Sequence, residues 1–442
     1  MLPSLARLAL QQADTGPIFT NHGLEQLEEK AREAGVRFQE SQKLETECAI
    51  CKYDFEPAED GRKREDDELI VLKNCAHIYH VHCLKDSVER RQSNALLCPI
   101  CKTEIHPDDL AALGHTNPAE GVSFVEAARD GNLARVNELI AAGVDVDFTH
   151  NGYTALYWAS VHGYAPIVTE LLAANANVNM ADILGRTALM MASLYGHAPI
   201  VEVLLARPGI EVDKKDSHGF TALMNASANG YLDIVKQLLA AGAKVNLVDN
   251  DGGTSLIKAS RWGRTAVVQQ LLAEPGVIVH ENDRSGKTAL IWARRFGHTA
   301  IVAMLEAALG FLQAAAGGNL ARVQALLGDG VNVNMAYDAN GRTALHDAST
   351  QGNADVVAAL LDAPGINVNQ TTKHGQTALI IASMMRNPAI FKMLLSVPGI
   401  KVSAKDRSGN TALMWAELYG RADIVAMLEK ANEFLKAVED GH

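Results

Sequence analysis

No cysteine follows Cys101 in this chain of 442 residues, and none precedes Cys48. A disulfide framework spread along the whole chain is therefore excluded, and whatever the six cysteines do is confined to one short segment. Basic residues are scattered, with no Lys/Arg block of the kind that tracks a nucleic-acid backbone, and the net charge is −12, so no nucleic-acid partner is expected. No apolar run near the ~18 residues needed to span a membrane stands out. Met1 to Leu10 carries one arginine and too short an apolar run for a signal peptide. These absences point to a folded protein of a reducing compartment. The cytoplasm is the first choice, the nucleus the second, and the host cytosol a third if the source is a microbe living inside cells.

What is present begins with the cysteines themselves. They run Cys48-x2-Cys51, then Cys75-x-His77-x2-His80-x2-Cys83, then Cys98-x2-Cys101. A Cys-x2-Cys pair forms a short knuckle that aims two sulfurs at one metal, and one pair opens the segment while another closes it. Eight thiolate or imidazole donors make two tetrahedral zinc sites with no cysteine left over. Disulfide pairing is the alternative, and a reducing compartment weighs against it. His82 is a spare imidazole that could replace His80, although the two-residue spacing to Cys83 favours His80.

This order of ligands resembles the RING domain in its two-histidine form, over residues of about 45–106. The resemblance implies two cross-braced zinc ions, one held by Cys48, Cys51, His80 and Cys83, the other by Cys75, His77, Cys98 and Cys101. It also implies a shallow apolar groove that grips a ubiquitin-conjugating enzyme carrying ubiquitin. Ile50 and Pro99 match the family at that groove. Ser87, with Val88 beside it, stands where the family often has Trp. Lys102 stands where an Arg often bridges enzyme and ubiquitin, so the charge is kept and the planar fork of donors is lost. No side chain here would act as a nucleophile, and catalysis would come from holding a thioester in an attack-ready arrangement. A metalloenzyme is disfavoured, because every zinc position is filled by protein and none is left open for water.

After residue 120 the chain repeats. Thr-Ala-Leu recurs at Thr154, Thr187, Thr221, Thr288, Thr343, Thr377 and Thr411, with Thr-Ser-Leu at Thr254, at spacings of 33, 34, 33, 34, 55, 34 and 34 residues. Each unit reads as a tight Gly-bearing hairpin, a short helix, a Gly break and an amphipathic helix, and a period near 33 marks a helix-pair solenoid. The pattern is similar to the ankyrin repeat over about residues 121–435. It departs from that family in having Thr-Ala-Leu-x for Thr-Pro-Leu-His, with only His346 keeping the imidazole, and in having Arg386 where the other units have Gly. If that position needs positive φ, the unit is strained by about 1 kcal/mol or bends differently.

The 55-residue gap marks an irregularity. Phe311 to Asn334 parallels Phe124 to Asp147, and Ile301–Glu306 recurs as Ile424–Glu429. A duplication explains both: a first array, then a second beginning at Phe311, with the hairpin missing near Gly310 and the stack kinked or displaced there. An ankyrin array implies a protein-binding wall. The position two after the triplet leucine holds Trp158, Met191, Trp292, Ile381 and Trp415, and these are the candidate substrate contacts. The competing reading is that they pack on their neighbours.

The expected fold is mostly α, an ankyrin-repeat solenoid preceded by a small zinc-bound RING domain. The expected divisions are a helical or flexible segment 1–44, a zinc domain 45–106, a linker 107–120, a first array 121–310 of about six repeats, and a second array 311–442 of about four with a C-terminal cap helix. The function implied is a RING-type ubiquitin ligase whose ankyrin repeats hold a protein substrate, with a homodimer through the zinc domain as a further possibility. The alternative is a non-catalytic ankyrin scaffold with a structural zinc module.

Overall fold

The computed structural model of the chain describes residues 69–71, 78–80 and 118–439. The chain divides into two compact units, residues 1–155 with 173–176, and residues 156–172 with 177–442.

In the first unit, strand β1 (Leu69–Val71) pairs antiparallel with β2 (Ile78–His80), Leu69 opposite His80 and Val71 opposite Ile78. Both strands are runs of β-favouring residues. Further along, α1 (Pro118–Arg129) begins with the proline, inside the stretch assigned above to the linker, because a proline is tolerated in a helix's first turn. It packs on α2 (Leu133–Ala141), burying Phe124 and Ala128 with Val136 and Leu139. Asn132 caps α2 by accepting from the Arg135 N–H.

The second unit is a stack of helix pairs. These are α3 (Ala155–His162) with α4 (Ala165–Ala173), α5 (Ala188–Tyr195) with α6 (Ala198–Leu205), and α7 (Ala222–Asn229) with α8 (Leu232–Ala240). Next come α9 (Ser255–Arg261) with α10 (Thr265–Ala273), and α11 (Ala289–Arg295) leading into α12 (Thr299–Ala316). After them stand α13 (Leu320–Gly328), α14 (Ala344–Gln351) with α15 (Ala354–Leu361), α16 (Ala378–Met384) with α17 (Pro388–Leu395), and α18 (Ala412–Leu418) with α19 (Ala422–Glu439).

The repeated threonine explains where each first helix starts. Thr187, Thr221, Thr254, Thr288, Thr377 and Thr411 are extended N-caps whose hydroxyls accept the N–H three residues on. Such a cap contributes about 1 kcal/mol. The glycine break explains where several stop: Gly196, Gly230 and Gly352 adopt left-handed φ of 85°, 87° and 81°. Just beyond, one side chain staples each pair to its predecessor. His197 Nε2 meets Val161 O at 3.0 Å, Arg264 donates to Ala228 O, and Asn353 to Ala315 O and Ala316 O. Aspartates order the hairpins, Asp216 Oδ1 accepting the N–H groups of His218 and Phe220. The second helices supply the aliphatic core: Ile200, Val201 and Leu204 are fully buried, as are Ile234, Val235 and Leu238. Each such leucine is held by about 1.5–3 kcal/mol of burial.

Arg386 does not adopt positive φ. Helix α16 ends at Met384, and Met385 leaves it in extended backbone (φ −87°, ψ 157°), so the unit bends differently and carries no left-handed arginine. His346 caps its own helix: Nδ1 accepts from Thr343 N at 3.1 Å and Nε2 faces Gln370 O at 3.0 Å. Burial holds its pKa down to about 4.

At the long gap there is no hairpin. Helix α12 runs unbroken through Gly310, its first part belonging to the pair begun by α11 and its last part to the pair completed by α13. The neighbouring hairpins meet across the omission. Ala336 N donates to Val277 O at 2.8 Å, Val279 N to Ala336 O at 3.0 Å, His280 N to Tyr337 O at 2.8 Å, and Asn332 Nδ2 to Leu272 O and Glu274 O. The His280 and Tyr337 rings stack 5.0 Å apart. At the opposite end of the helices the joint is open. A side chain at Gly196, Gly230, Gly263 or Gly318 would strike the next unit's residue, while one at Gly297 would meet nothing. The expected displacement is thus one-sided: the hairpin edge continues and the glycine edge parts.

Helix α12 also corrects the expectation of no apolar run near membrane length. By length and composition alone Thr299–Ala316 is long and apolar enough to cross a membrane. Eight of its 18 residues, including Ile301, Leu305, Phe311 and Leu312, are buried, and the helix packs on α11, α13 and α14.

Candidate functional site

The proposed zinc ligands and groove residues lie outside the described residues, except for the backbone of His80. This covers Cys48, Ile50, Cys51, Cys75, His77, Cys83, Ser87, Val88, Cys98, Pro99, Cys101 and Lys102. Cys75 and His77 fall in the six-residue connection 72–77 of an antiparallel pair, and His80 ends the returning strand. The donor set, six thiols and two imidazoles with no carboxylate, is the chemistry of closed structural zinc.

The five candidate substrate contacts do not form an exposed wall. Met191 and Ile381 are 2% and 3% exposed, locked inside the stack. Trp292 is 8% exposed, and its indole N–H donates to Asp283 Oδ2 at 2.7 Å; Trp415, half-buried, makes the same bond to Asp406 Oδ2 at 2.9 Å. Trp158 is half-buried. Burial opposes ionisation of Asp283 and Asp406, and donors from the hairpin N–H groups and the indoles outweigh it, holding both carboxyls below their usual range. Trp292 and Trp415 brace hairpins, which fits the reading of packing rather than of substrate contact.

The exposed large side chains stand elsewhere. Tyr195, Trp262, Phe296 and Tyr419 recur just before the glycine break, all about half exposed. Around two of them cations gather. Arg261 lies over the Trp292 ring at 4.4 Å and the Trp262 ring at 5.6 Å, and Arg295 and Lys287 lie over Trp292 at 5.4 and 5.0 Å. Phe296 stacks on Trp292 at 5.8 Å. The signal was in the sequence: Arg261-Trp262-Gly263 and Arg295-Phe296-Gly297 occupy one position of consecutive repeats.

A second signal marks where stacking stops. The fourth residue after the triplet leucine is Ser160, Ser193, Ser227, Ser260, Ser349 and Ser383, all fully buried between neighbouring helices. In α11 it is Arg294, and in α18 it is Glu417, both exposed. Likewise Ile291 and Met414 are 44% and 51% exposed, while their counterparts Met190, Met224, Ile257 and Ile380 are buried. The α11 face is built like the last face of the chain. A cleft of about 330 Å³ opens there, lined by Arg294, Gly297, Thr299, Val302, Ala303 and Glu306.

A family model for ankyrin repeats matches residues 124–216, 223–309, 311–406 and 365–436. The chain belongs to the ankyrin-repeat family. Two of those matches break on either side of Gly310, in the middle of α12. The model of the RING-H2 zinc finger domain matches residues 46–102, so this ankyrin chain carries a zinc-binding RING-H2 domain ahead of its repeats. Over 79 residues it is 32% identical to Brassinosteroid-responsive RING protein 1 of Arabidopsis thaliana. It is 36% identical over 75 residues to Probable E3 ubiquitin-protein ligase ATL44, and 33% over 70 residues to E3 ubiquitin-protein ligase ATL6, both of the same plant. Those stretches are 17%, 17% and 16% of this ankyrin chain, and 40%, 34% and 15% of the respective proteins. The chain thus covers less than half the length of these curated relatives, and its RING-H2 domain is homologous to those of plant E3 ubiquitin ligases.

Proposed function

We propose that the chain is a RING-type E3 ubiquitin-protein ligase. The observation that carries this reading is the RING-H2 match over 46–102, with all eight donors in order, to proteins named as E3 ubiquitin ligases. Residues 45–106 form the zinc domain and 107–120 a linker shortened by the start of α1 at Pro118. The arrays divide at 310/311. Two zinc ions hold the domain's shape, one through Cys48, Cys51, His80 and Cys83, the other through Cys75, His77, Cys98 and Cys101. Ile50, Pro99 and Val88 line the groove for a ubiquitin-conjugating enzyme, and Lys102 bridges to its ubiquitin. The charged thioester is held in one orientation while a substrate lysine, delivered by the ankyrin repeats, attacks it. Restricting that geometry supplies several kcal/mol of the barrier. The place of action is the cytoplasm or nucleus.

The test is ubiquitin transfer. Purified chain is mixed with ubiquitin, activating enzyme, ATP and a panel of conjugating enzymes, beside a Cys48→Ser/His80→Ala variant, with zinc content measured on both. Chains formed by the native protein at two zinc per molecule, and lost with the variant, are expected. Two bound zinc without transfer across the panel would overturn the reading in favour of a scaffold that uses its zinc module for docking or dimerisation.

A further inference from the structure

The face left uncovered by the missing hairpin shares the aromatic stack of the chain's last face, where Arg421 lies over Tyr419, and gathers more cations around it. Arg261 lies between the Trp262 and Trp292 rings, and Arg295 and Phe296 both lie against Trp292, each pair within 6 Å. Residues 258–298 hold seven Lys or Arg against three acidic residues, and with Asp249 and Glu306, the partners of Lys258 and Arg294, counted in, two positive charges remain in surplus in a chain of net charge −12. Arg294 is paired with Glu306 at 2.7 Å. Among the described residues, no carboxylate lies within ion-pair distance of Arg261 or Arg295. Between these cations stand exposed apolar groups, Trp262 at 56%, Phe296 at 50% and Ile291 at 44%. Aromatic anchors ringed by arginines are what interface hot spots are made of.

We propose that this face docks an acidic segment of a partner protein that also carries bulky apolar side chains, and that such segments mark the substrates of the ligase. The second clause rests on the ligase reading above; the first does not. Carboxylates of the partner meet Arg295 and the outer edge of Arg261, and its apolar side chains settle on Phe296, Ile291 and Trp262 beside the cleft at Arg294 and Gly297. Nucleic acid fits less well. The Trp292 faces are taken by cations and its N–H by Asp283, which leaves only two rings for base stacking.

The experiment is fluorescence anisotropy with the full-length protein. The probe is a labelled short peptide with glutamates flanking two phenylalanines, beside the same peptide with lysines for glutamates and an oligo-dT strand of similar length. The glutamate peptide is expected to bind at least about tenfold more tightly than the lysine peptide, the size of one charge-assisted contact, and more weakly as salt rises. Arg295→Glu and, separately, Trp262→Ser, each with unchanged melting temperature, should lose that preference by a similar factor. Equal binding of both peptides, tighter binding of oligo-dT, or full affinity in both variants would overturn the proposal. Self-ubiquitination of the same wild-type preparation reports on the ligase reading separately: transfer without peptide preference rejects only the docking face, and peptide preference without transfer rejects only the ligase.

Discussion

The buried serine of each stacked unit makes a sharp prediction. Ser227 is fully buried on α7, which packs on both α5 and α9. Ser227→Arg would force a guanidinium into that closed interface with no acceptor provided for it. An unpaired buried charge costs about 3–5 kcal/mol, and overpacking adds about 1–3 kcal/mol. Loss of at least about 4 kcal/mol is therefore expected, close to the whole stability of many domains. The reverse change, Arg294→Ser, removes an ion pair whose side chains are 59% and 49% exposed, so its cost is about 0.2–1 kcal/mol. Urea unfolding of the full-length variants, followed by helical circular dichroism, reads both. The Ser227→Arg midpoint should fall steeply and the Arg294→Ser midpoint hardly at all. Equal losses, or a tolerated Ser227→Arg, would refute the claim that α11 ends a stack.

Other perturbations separate the remaining readings. Burial holds His346 at a pKa of about 4 against 6.5 unfolded, so the unfolded chain binds the extra proton and stability falls as pH drops from about 6.5 to 4, by up to about 3 kcal/mol. His346→Met, which copies Met190 and Met224 at the same position of other units, should flatten that fall in urea midpoints measured across this range. Arg386→Gly should destabilise by about 0.5–1 kcal/mol through backbone entropy, because the site has no positive φ to relieve; a raised melting temperature would contradict this. Ile50→Ala should lower ubiquitin transfer while zinc content is unchanged, and Lys102→Arg should maintain or raise transfer, since it restores the forked donor.

The repeat architecture was legible because its signals are local. Thr221 caps a helix, Gly230 ends it, and Leu238 sits in an aliphatic core, each by rules that need no distant partner. The junction was legible as a gap in period, and Phe311 was found from its likeness to Phe124. What spacing alone did not tell was how the gap would be closed, since the bonds from Val279 and His280 to Ala336 and Tyr337 join residues 57 apart. Sequence alone leaves the tryptophan position between a binding wall and packing on neighbours for a related reason. A side chain's exposure depends on whether the next unit covers it, and Met191 and Ile381 are covered from both sides. The better guide was the small residue at Ser160, Ser193 and Ser227, replaced by a charge at Arg294 and Glu417. The zinc domain was legible from donor order alone, because a metal demands particular atoms at particular spacings.

The one-edged joint at α12 also bears on how the molecule comes apart. In a linear array, cooperativity passes from unit to unit only through shared interfaces. At the joint Gly297 meets nothing, and coupling passes through the hairpin bonds and through α12, which packs on α11, α13 and α14. The repeats before and after the joint lie in one compact unit, held together by a helix that belongs to both. Damage to α12 therefore reaches the repeats on both sides at once, whereas damage elsewhere passes on through one interface at a time.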